Sequence, residues 1–457
     1  MPVRWCFSTA PSARFQPPTI NKADTTNTDV FPREETMKYT VKAAALSATI
    51  LGGAVAAHAD EVNFLCYQDS NECDVIAGML DGFTDATGHT VKMDVVGYDV
   101  VRDQLENQLQ TGSAPDVARV TNLGGLNQYY LDLSDYVDTA AWEENYGATL
   151  PWFRKPGGED DGVYGWMTQL TVTGPYVNVS MFEDAGVDMP GDGATWDEWA
   201  AALMEVKEAL GLTAGLAMDR TAHRMAGPAF AYGAKFFDDN GDPILVDEGF
   251  RNFAETFVKW HESGLMPAEG WPAGSGTSYR NAAPLFLSGD VAMHMSGSWM
   301  INSYAKDITD FDWKAVPVPC GPGGCGAMPG GAAIVAFEST DVPEAAAQFI
   351  DYLAADEQAA AFASQTRNIP AHQGLQASGV DYGDASPAVA QALQVFAGNA
   401  SKAAETTPQA FTFQGYAKNF VIYGVVPDYM TQAITGEISL DDALTAIDAD
   451  VAAQIAE

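Results

Sequence analysis

The sequence of 457 residues predicts an α/β fold with two lobes, and three observations support this prediction. Short β-branched segments alternate with amphipathic ones through the first half of the chain, which is typical of a largely parallel sheet with crossover helices. About 400 residues follow a predicted export signal, enough for two domains with full hydrophobic cores. These residues contain no internal repeat and no long linker. The sequence is therefore typical of two α/β lobes.

The export signal is predicted over residues 37–59. Lys38 and Lys42 form its positive end, and an apolar run leads to a small-x-small cleavage site formed by Ala57 and Ala59. A helix that spans a bilayer needs about 20 apolar residues, more than this run provides. We therefore expect cleavage after Ala59 and release into the periplasm. A buried helix is the alternative, but it would leave the flanking charges and the cleavage site unexplained.

The segment before the signal, residues 1–36, is rich in Pro, Thr and Asn and has no hydrophobic period. A segment of this composition does not bury enough apolar surface to fold, so we expect disorder there. A start codon assigned too far upstream, with Met37 as the true initiator, would explain its presence.

Strands and helices are predicted in alternation after the signal. A strand at 62–67 precedes an amphipathic helix over 75–83, and a strand at 90–96 precedes another helix over 100–109. A third apolar segment follows at 117–120. Right-handed crossovers between parallel strands bring strand ends and helix starts to one edge of the sheet, where such folds bind ligands.

Helix caps identify elements in the rest of the chain. Thr195 and Glu198 form a capping box that opens a helix closed by Gly211, and Asp247 caps another helix that ends at Gly264. Further strands are predicted at 173–179, 216–218 and 291–295, and further helices at 344–354, 388–398 and 439–455.

The acidity of the chain, a formal net charge of −38, limits its partners. Nucleic acid and anionic lipid attract proteins of the opposite sign, so neither is expected to bind. A solubilising surface suited to salty surroundings is the favoured interpretation. Attraction of a cationic solute such as a polyamine is the alternative.

Four cysteines remain after the signal, in two close pairs, Cys66 with Cys73 and Cys320 with Cys325. Of three connectivities, proximity favours this one, and oxidising conditions outside the cytoplasm favour disulfides over metal ligation. A zinc site is the alternative, although no His lies at ligand spacing beside either pair. We expect two disulfides, no metal and no cofactor.

A series of short motifs runs in the order of one known family through nearly all of the chain after the signal. Residues 112–117 read Gly-Ser-Ala-Pro-Asp-Val, and residues 162–166 read Gly-Val-Tyr-Gly-Trp. The other motifs lie at 131–136, 175–178, 182–186, 195–199, 287–293, 296–299, 330–331, 346–353 and 369–370. Each is weak alone, but together they resemble the sugar-type solute-binding proteins of ABC transporters, the group that contains maltose-binding protein.

The resemblance implies a two-lobed periplasmic binding protein fold (type II) with interleaved lobes, a hinge and a ligand cleft between the lobes. It places residues 60–172 and 317–384 in the N-terminal lobe and residues 173–316 and 385–457 in the C-terminal lobe. A monomer of this kind binds a small-molecule sugar and delivers it to inner-membrane ABC permease subunits. It performs no chemistry itself.

Aromatic and polar groups at strand ends are expected to bind such a solute, because sugar rings have apolar faces and hydroxyl rims. Tyr67, Gln68 and Asp69 follow the first strand, and Asn122 follows the third. The alternative for the first three residues is scaffolding of a disulfide loop beside Cys66.

Five further ligand-binding residues are predicted from their place in the motifs. Trp166 and Gln169 precede the first lobe crossover, with core packing as the alternative for Trp166. Trp299 opens a helix after a strand, where proteins of the family stack sugar. Gly330 and Gly331 allow close approach of the backbone and N–H donation, with a tight turn as the alternative.

A last group of candidates lies towards the C-terminus. Arg367 and Asn368 precede an Ile-Pro pair and could bind a hydroxyl or a carboxylate, and three aromatic residues could line the second lobe. These are Phe411, Phe413 and Tyr416.

Two other functions remain open from the sequence. A receptor for a polyamine or betaine needs aromatic faces and carboxylates, which Asp69, Asp219 and Trp299 could provide. A secreted glycoside hydrolase needs a pair of carboxylates in a cleft, and any acidic chain offers such pairs by chance.

Overall fold

The computed structural model describes residues 59–155, 160–238, 243–275, 278–406 and 408–456. The segment predicted to be disordered and the export signal up to residue 58 lie outside the described residues. Within the described ranges, no helix has the length and apolar character needed to cross a membrane.

A single mixed sheet forms the centre of the fold. Its strands run in the order β2-β1-β3-β12-β4-β8-β5, with β9 also paired to β4. The strands in chain order are β1 Glu61–Tyr67, β2 Thr90–Val96, β3 Val117–Val120, β4 Gly165–Asn178, β5 Leu216–Met218, β6 Phe236–Phe237, β7 Pro243–Ile244, β8 Met293–Gly297, β9 Trp313–Ala315, β10 Cys320–Gly321, β11 Gly324–Cys325 and β12 Pro329–Ala336.

The predicted parallel pairing holds at the two sides of this sheet. Strand β1 pairs in parallel with β2 and β3, and β5 pairs in parallel with β8. At the centre, β12 and β4 run antiparallel to each other and to their other neighbours. The sheet is therefore mixed, and its two antiparallel central strands connect the parallel sides.

Helices flank the sheet. In chain order they are α1 Glu72–Ala77, α2 Leu80–Thr87, α3 Tyr98–Thr111, α4 Thr139–Tyr146, α5 Val179–Ala185, α6 Trp196–Leu210, α7 Ala222–Ala231, α8 Glu248–Glu262, α9 Ala283–Leu287, α10 Ile301–Asp307, α11 Pro343–Ala354, α12 Asp356–Thr366, α13 Gln373–Ser378, α14 Pro387–Thr406, α15 Pro408–Gln414, α16 Asn419–Thr435 and α17 Leu440–Ala456.

The predicted helix caps are confirmed, and one predicted helix is split. The hydroxyl of Thr195 accepts from the Glu198 amide, and the Glu198 carboxylate accepts from the Thr195 amide at 2.7 Å, which completes the capping box. Asp247 caps α8 by accepting from the Phe250 amide. The single helix predicted over 75–83 is α1 followed by α2, and Gly78 is the C-cap of the first helix.

The hydrophobic core has separate parts that alternate along the chain. One cluster of buried residues draws on 62–167 and 332–371. Two others draw on 177–451 and 172–403. The two lobes therefore share the sheet and its long central strands β4 and β12.

Both predicted disulfides are confirmed, with S–S distances of 2.08 Å for Cys66–Cys73 and 1.97 Å for Cys320–Cys325. The second disulfide closes the hairpin of β10 and β11, which packs on α7 through glycines. A side chain at Gly326 would collide with the Gly227 carbonyl of α7. The hairpin thus supports the helix whose first turn faces the cavity described below.

Candidate functional site

A cavity opens where the central strands meet the ends of β1 and β3 and the first turn of α7. It encloses about 890 Å³ of space between atoms, including the part open to solvent. Its lining consists of Tyr67, Asp69, Tyr98, Arg102, Thr121, Gln169, Thr171, Thr221, His223, Arg224, Tyr279, Trp299, Gly330, Gly331, Ala332, Gln414, Phe420 and Tyr423.

Six of the ten predicted ligand-binding residues line this cavity. They come from the end of β1, from both central strands and from the turn after β8. These six are Tyr67, Asp69, Gln169, Trp299, Gly330 and Gly331. Glycine at 331 also has a packing reason, because a side chain there would collide with Met167 on β4.

The other four predicted residues lie outside the cavity. Trp166 is a core residue with 1% of its surface exposed, and its ring packs against Phe362. Gln68 lies beside the cavity with a buried Oε1 atom that has no hydrogen-bond partner in the described part of the chain. Asn122 lines a smaller adjacent pocket, and Arg367 donates to Asn302.

The C-terminal candidates have structural roles. The Asn368 amide donates to Gln169 Oε1 at 2.6 Å, beneath the cavity. The three aromatic candidates do not line the cavity. Gln414, Phe420 and Tyr423, which lie between and after them in the sequence, do line it. Those candidates are Phe411, Phe413 and Tyr416.

Four aromatic lining residues were not among the predictions. Tyr98 is the first residue of α3 and directly follows β2, so the strand-end rule that selected Tyr67 would also have selected it. Tyr98 and Tyr279 approach each other edge to face at 5.9 Å between ring centroids. Tyr279, Phe420 and Tyr423 have no local signal in the sequence.

A buried ion pair holds the first turn of α7. Asp219, just after β5, accepts from Arg224 Nε at 2.8 Å, from His294 Nε2 at 3.1 Å and from the Ala282 amide at 2.9 Å. Burial raises the pKa of Asp219, but the positive Arg224 and the contact with His294 outweigh it and bring this pKa well below its usual range. Asp219 is therefore an anion at neutral pH.

Arg224 fixes the states of two neighbouring rings. Its guanidinium lies 4.1 Å from the ring centroid of Trp299, a cation–π contact. It also lies 2.8 Å from His223 Nδ1, and because an arginine can only donate, that nitrogen accepts. Burial and the adjacent Arg224 lower the pKa of His223 to about 3, so this imidazole is neutral at physiological pH.

A second buried arginine supports the opposite wall. Arg119 on β3 donates to the Tyr67 carbonyl at 2.8 Å and to Gln169 Oε1 at 3.2 Å, and it lies 4.2 Å from the Tyr67 ring centroid. It also lies 3.9 Å from the Asp69 carboxylate. Enclosure in the cavity and the nearby Glu72 raise the pKa of Asp69 to about 6, against the effect of Arg119, although 29% of the side chain is accessible to solvent.

The cavity therefore combines aromatic surfaces with hydroxyl, amide and backbone groups, and the two buried arginines beside it each lie next to a carboxylate. Asp219 neutralises Arg224, and Asp69 lies beside Arg119. No group of three or more metal-ligating side chains occurs among the described residues. Such a lining suits a polar, uncharged solute with apolar faces.

Comparison with known proteins connects the chain to curated relatives. The model of the family described as bacterial extracellular solute-binding protein matches residues 78–397. The maltodextrin-binding protein MdxE of Bacillus subtilis is 26% identical over 295 residues, which cover 60% of this chain and 66% of that protein. The arabinooligosaccharide-binding protein of Halalkalibacterium halodurans is 27% identical over 277 residues, covering 57% and 59%. Each match thus spans less than two thirds of the relative's length.

Solved structures share the fold over most of the chain. The ABC substrate-binding protein Lmo0181 of Listeria monocytogenes, in complex with cycloalternan, has a TM-score of 0.72 at 17% identity and covers 87% of this chain and 100% of its own. Maltose-bound MalE3 of T. maritima has a TM-score of 0.65 at 16% identity, covering 86% and 99%. At these identities the likeness concerns the two-lobed fold alone. The family match extends over more than half of the chain, and the chain belongs to the bacterial extracellular solute-binding proteins, a family of binding proteins and not of enzymes.

Proposed function

We propose that this protein binds a carbohydrate, a mono- or oligosaccharide, between its lobes and delivers it to an ABC permease in the inner membrane. In this proposal the chain works as a monomer in the periplasm after cleavage at Ala59. Residues 60–172 with 317–384 form one lobe, and residues 173–316 with 385–457 form the other. Two relatives are named as a maltodextrin-binding protein and an arabinooligosaccharide-binding protein. These names support a saccharide as the solute.

The observation that carries the proposal is the aromatic lining of the cavity. Six aromatic side chains surround it, and hydroxyl and amide groups lie between them. Sugar rings stack their C–H faces on aromatic rings and orient their hydroxyls by hydrogen bonds to such polar groups. The six are Tyr67, Tyr98, Tyr279, Trp299, Phe420 and Tyr423.

A cationic solute is the second candidate, and Asp69 is the observation in its favour, because it is a carboxylate in an aromatic cavity. Two other groups that such a solute would need are already engaged. Asp219 is 1% exposed and accepts from three donors, and one face of Trp299 carries the guanidinium of Arg224. A carbohydrate therefore remains the better match.

A glycoside hydrolase is disfavoured by the carboxylates of the cavity. Retaining and inverting hydrolases place two carboxyl groups on either side of the scissile bond. Within the described residues, Asp69 is the one carboxylate in the lining. The site thus offers no acid–base pair for this reaction.

Thermal melting of the exported chain with a panel of solutes tests the proposal. Mono-, di- and trisaccharides, polyols, polyamines and betaines are added at millimolar concentration. A solute at about 1,000 times its dissociation constant adds about 4 kcal/mol to the free energy of unfolding and shifts the melting temperature clearly. A shift with one sugar class, with the sugar recovered unchanged, supports the proposal, whereas a shift with cations alone contradicts it.

A further inference from the structure

We propose that the side chain of Asn302 is the centre of a polar clasp that holds the cleft closed over its solute. The clasp consists of Asn302 and Ser303 at the start of α10, Ser70 and Asn71 in the loop after β1, and Arg367 after α12. This inference rests on the proposed solute-binding function and adds a group of residues, outside the cavity, that controls how long the solute stays bound.

Asn302 uses both ends of its amide. Its Nδ2 donates to Ser70 Oγ at 3.0 Å and to Asn71 Oδ1 at 2.8 Å, and its Oδ1 accepts from Arg367 at 2.9 Å. The next residue, Ser303, donates to the Asp69 carbonyl at 3.3 Å. Four hydrogen bonds therefore connect the first turn of α10 with the loop after β1 and the end of α12.

The loop and α10 belong to different clusters of the core. Cys66 and Cys73, which bracket the loop, pack in the cluster that contains β1 and β3. Ile301 and Tyr304, which bracket the α10 side, pack in a cluster that also contains Ala363 and Ile369 on either side of Arg367. In this proposal the bonds from α10 to the loop are therefore the ones that opening of the cleft breaks.

The loop of the clasp is stiff and also forms a wall of the cavity. The Cys66–Cys73 disulfide closes it, and the buried carboxylate of Glu72 accepts from the amides of Asp69 and Ser70 at 3.0 Å. The side chain of Asp69 faces the cavity. A solute that contacts Asp69 thus contacts the same rigid segment that binds Asn302, which couples occupancy of the cavity to closure of the clasp.

Arg367 positions the Asn302 amide. It adopts the left-handed conformation, with φ of 55°, which is uncommon for a residue other than glycine. Arg367 is the C-cap of α12, a position where helices commonly adopt this conformation. By donating to Oδ1, Arg367 orients the amide so that its two N–H groups point to Ser70 and Asn71. The neighbouring Gln365 carbonyl accepts from Asn71, which ties the loop to the same helix end.

Cross-linking in solution tests whether the clasp forms. The exported chain with Ser70→Cys and Ser303→Cys, which keeps Asn302, is treated with a short bifunctional thiol reagent and mapped by peptide mass spectrometry. The four native cysteines are in disulfides and do not compete. We expect a cross-link between the two introduced thiols, formed several-fold more slowly when Arg367→Ala is added. A yield no higher than for the control pair Ser70→Cys and Asn252→Cys would overturn the proposal, because Asn252 lies on α8.

Release kinetics test whether the clasp retains solute, with maltotriose as the probe. Asn302→Ala removes three hydrogen bonds, and we expect about ten-fold faster dissociation with little change in the association rate. The matched control is Asn252→Ala at an exposed position of α8. Equal dissociation rates for the two variants would overturn the proposal. If maltotriose does not bind, the choice of sugar is wrong, and the cross-linking result decides on the clasp without it.

Discussion

At the scale of single residues, Asp219 is the group on which the site depends most for its stability. Its side chain compensates the buried Arg224 and contacts His294, and all three are at least nine-tenths buried. Removing one member of a buried ion pair leaves an uncompensated charge, which costs about 3–5 kcal/mol. We therefore expect Asp219→Ala to lower the free energy of unfolding by about this amount, measured by urea denaturation.

The control for this variant is Asp441→Ala. Asp441 pairs with Arg251 on the surface, where its side chain is 83% exposed. Exposed ion pairs contribute about 0–1 kcal/mol, so this substitution is expected to have a small effect. Similar losses for the two variants would contradict the assignment of Asp219 as a buried anion.

Asp69 makes a contribution to the free energy of unfolding that depends on pH. Its pKa is raised to about 6, whereas an unfolded chain loses this proton near pH 4. The folded protein therefore holds a proton between these values that the unfolded chain has lost. The contribution of Asp69 to stability is fully present below about pH 4 and is lost as the pH rises to about 6.

The measurement is urea denaturation of wild type and Asp69→Asn at several pH values from 4 to 7. We expect the stability of wild type relative to the variant to fall over this interval. His223 contributes in the opposite direction, because it is neutral in the folded protein with a pKa of about 3 but gains a proton near pH 6.5 in the unfolded chain. Both proteins carry His223, so its effect cancels in the comparison. Parallel pH profiles for the two proteins would show that Asp69 titrates as an exposed carboxylate.

At the scale of elements, the sequence predicts short strands well and the long central strand poorly. The strands at 90–96 and 117–120 match β2 and β3, because turn signals bound them on both sides. The prediction over 173–179 covers only the second half of β4, which runs from Gly165 to Asn178. The Gly174-Pro175 pair, a sequence signal for a turn, lies inside this strand, so local signals do not mark its bounds.

The presence or absence of a local sequence signal explains which residues of the cavity could be predicted. Tyr67 is the last residue of β1 and Asp69 follows it, and a general rule about strand ends identifies both. Tyr279 and Tyr423 reach the cavity from elements that are distant in sequence and carry no such signal. Trp166 belongs to a motif of the family but points into the core, because residues of a strand alternate between its two faces.

The two disulfide loops are expected to differ in function although they are similar in size. Each closes a short loop, so replacing either pair by alanine should cost about 2 kcal/mol of stability. The Cys66→Ala, Cys73→Ala variant also releases the loop that carries Asp69, and we expect it to weaken sugar binding. The Cys320→Ala, Cys325→Ala variant is the matched control. Calorimetric titration and thermal melting of both proteins measure the difference, and equal affinities would contradict a role of the first loop in the site.

At the scale of the whole molecule, charge separates the surface from the cavity. The chain carries a net charge of −38, yet the buried charges around the cavity are paired. Repulsion among surface carboxylates destabilises the compact state and is screened by salt, since the Debye length falls to about 3 Å at 1 M. The surface and the site are therefore expected to respond differently to ionic strength.

We expect the melting temperature to rise between about 0.02 M and 1 M NaCl, because screening relieves repulsion among the surface carboxylates. A parallel series in sucrose, which is itself excluded from the protein surface and does not screen charge, gives the part of the rise that is not electrostatic. The affinity for a neutral sugar, measured by titration calorimetry over the same salt series, is expected to change little, because the cavity binds it through stacking and hydrogen bonds. A cationic solute would instead lose affinity steeply with salt, since attraction by the acidic surface would be screened. A steep salt dependence of binding would therefore favour the cationic candidate over the carbohydrate, and a melting temperature independent of salt would show that the surface charges are already compensated.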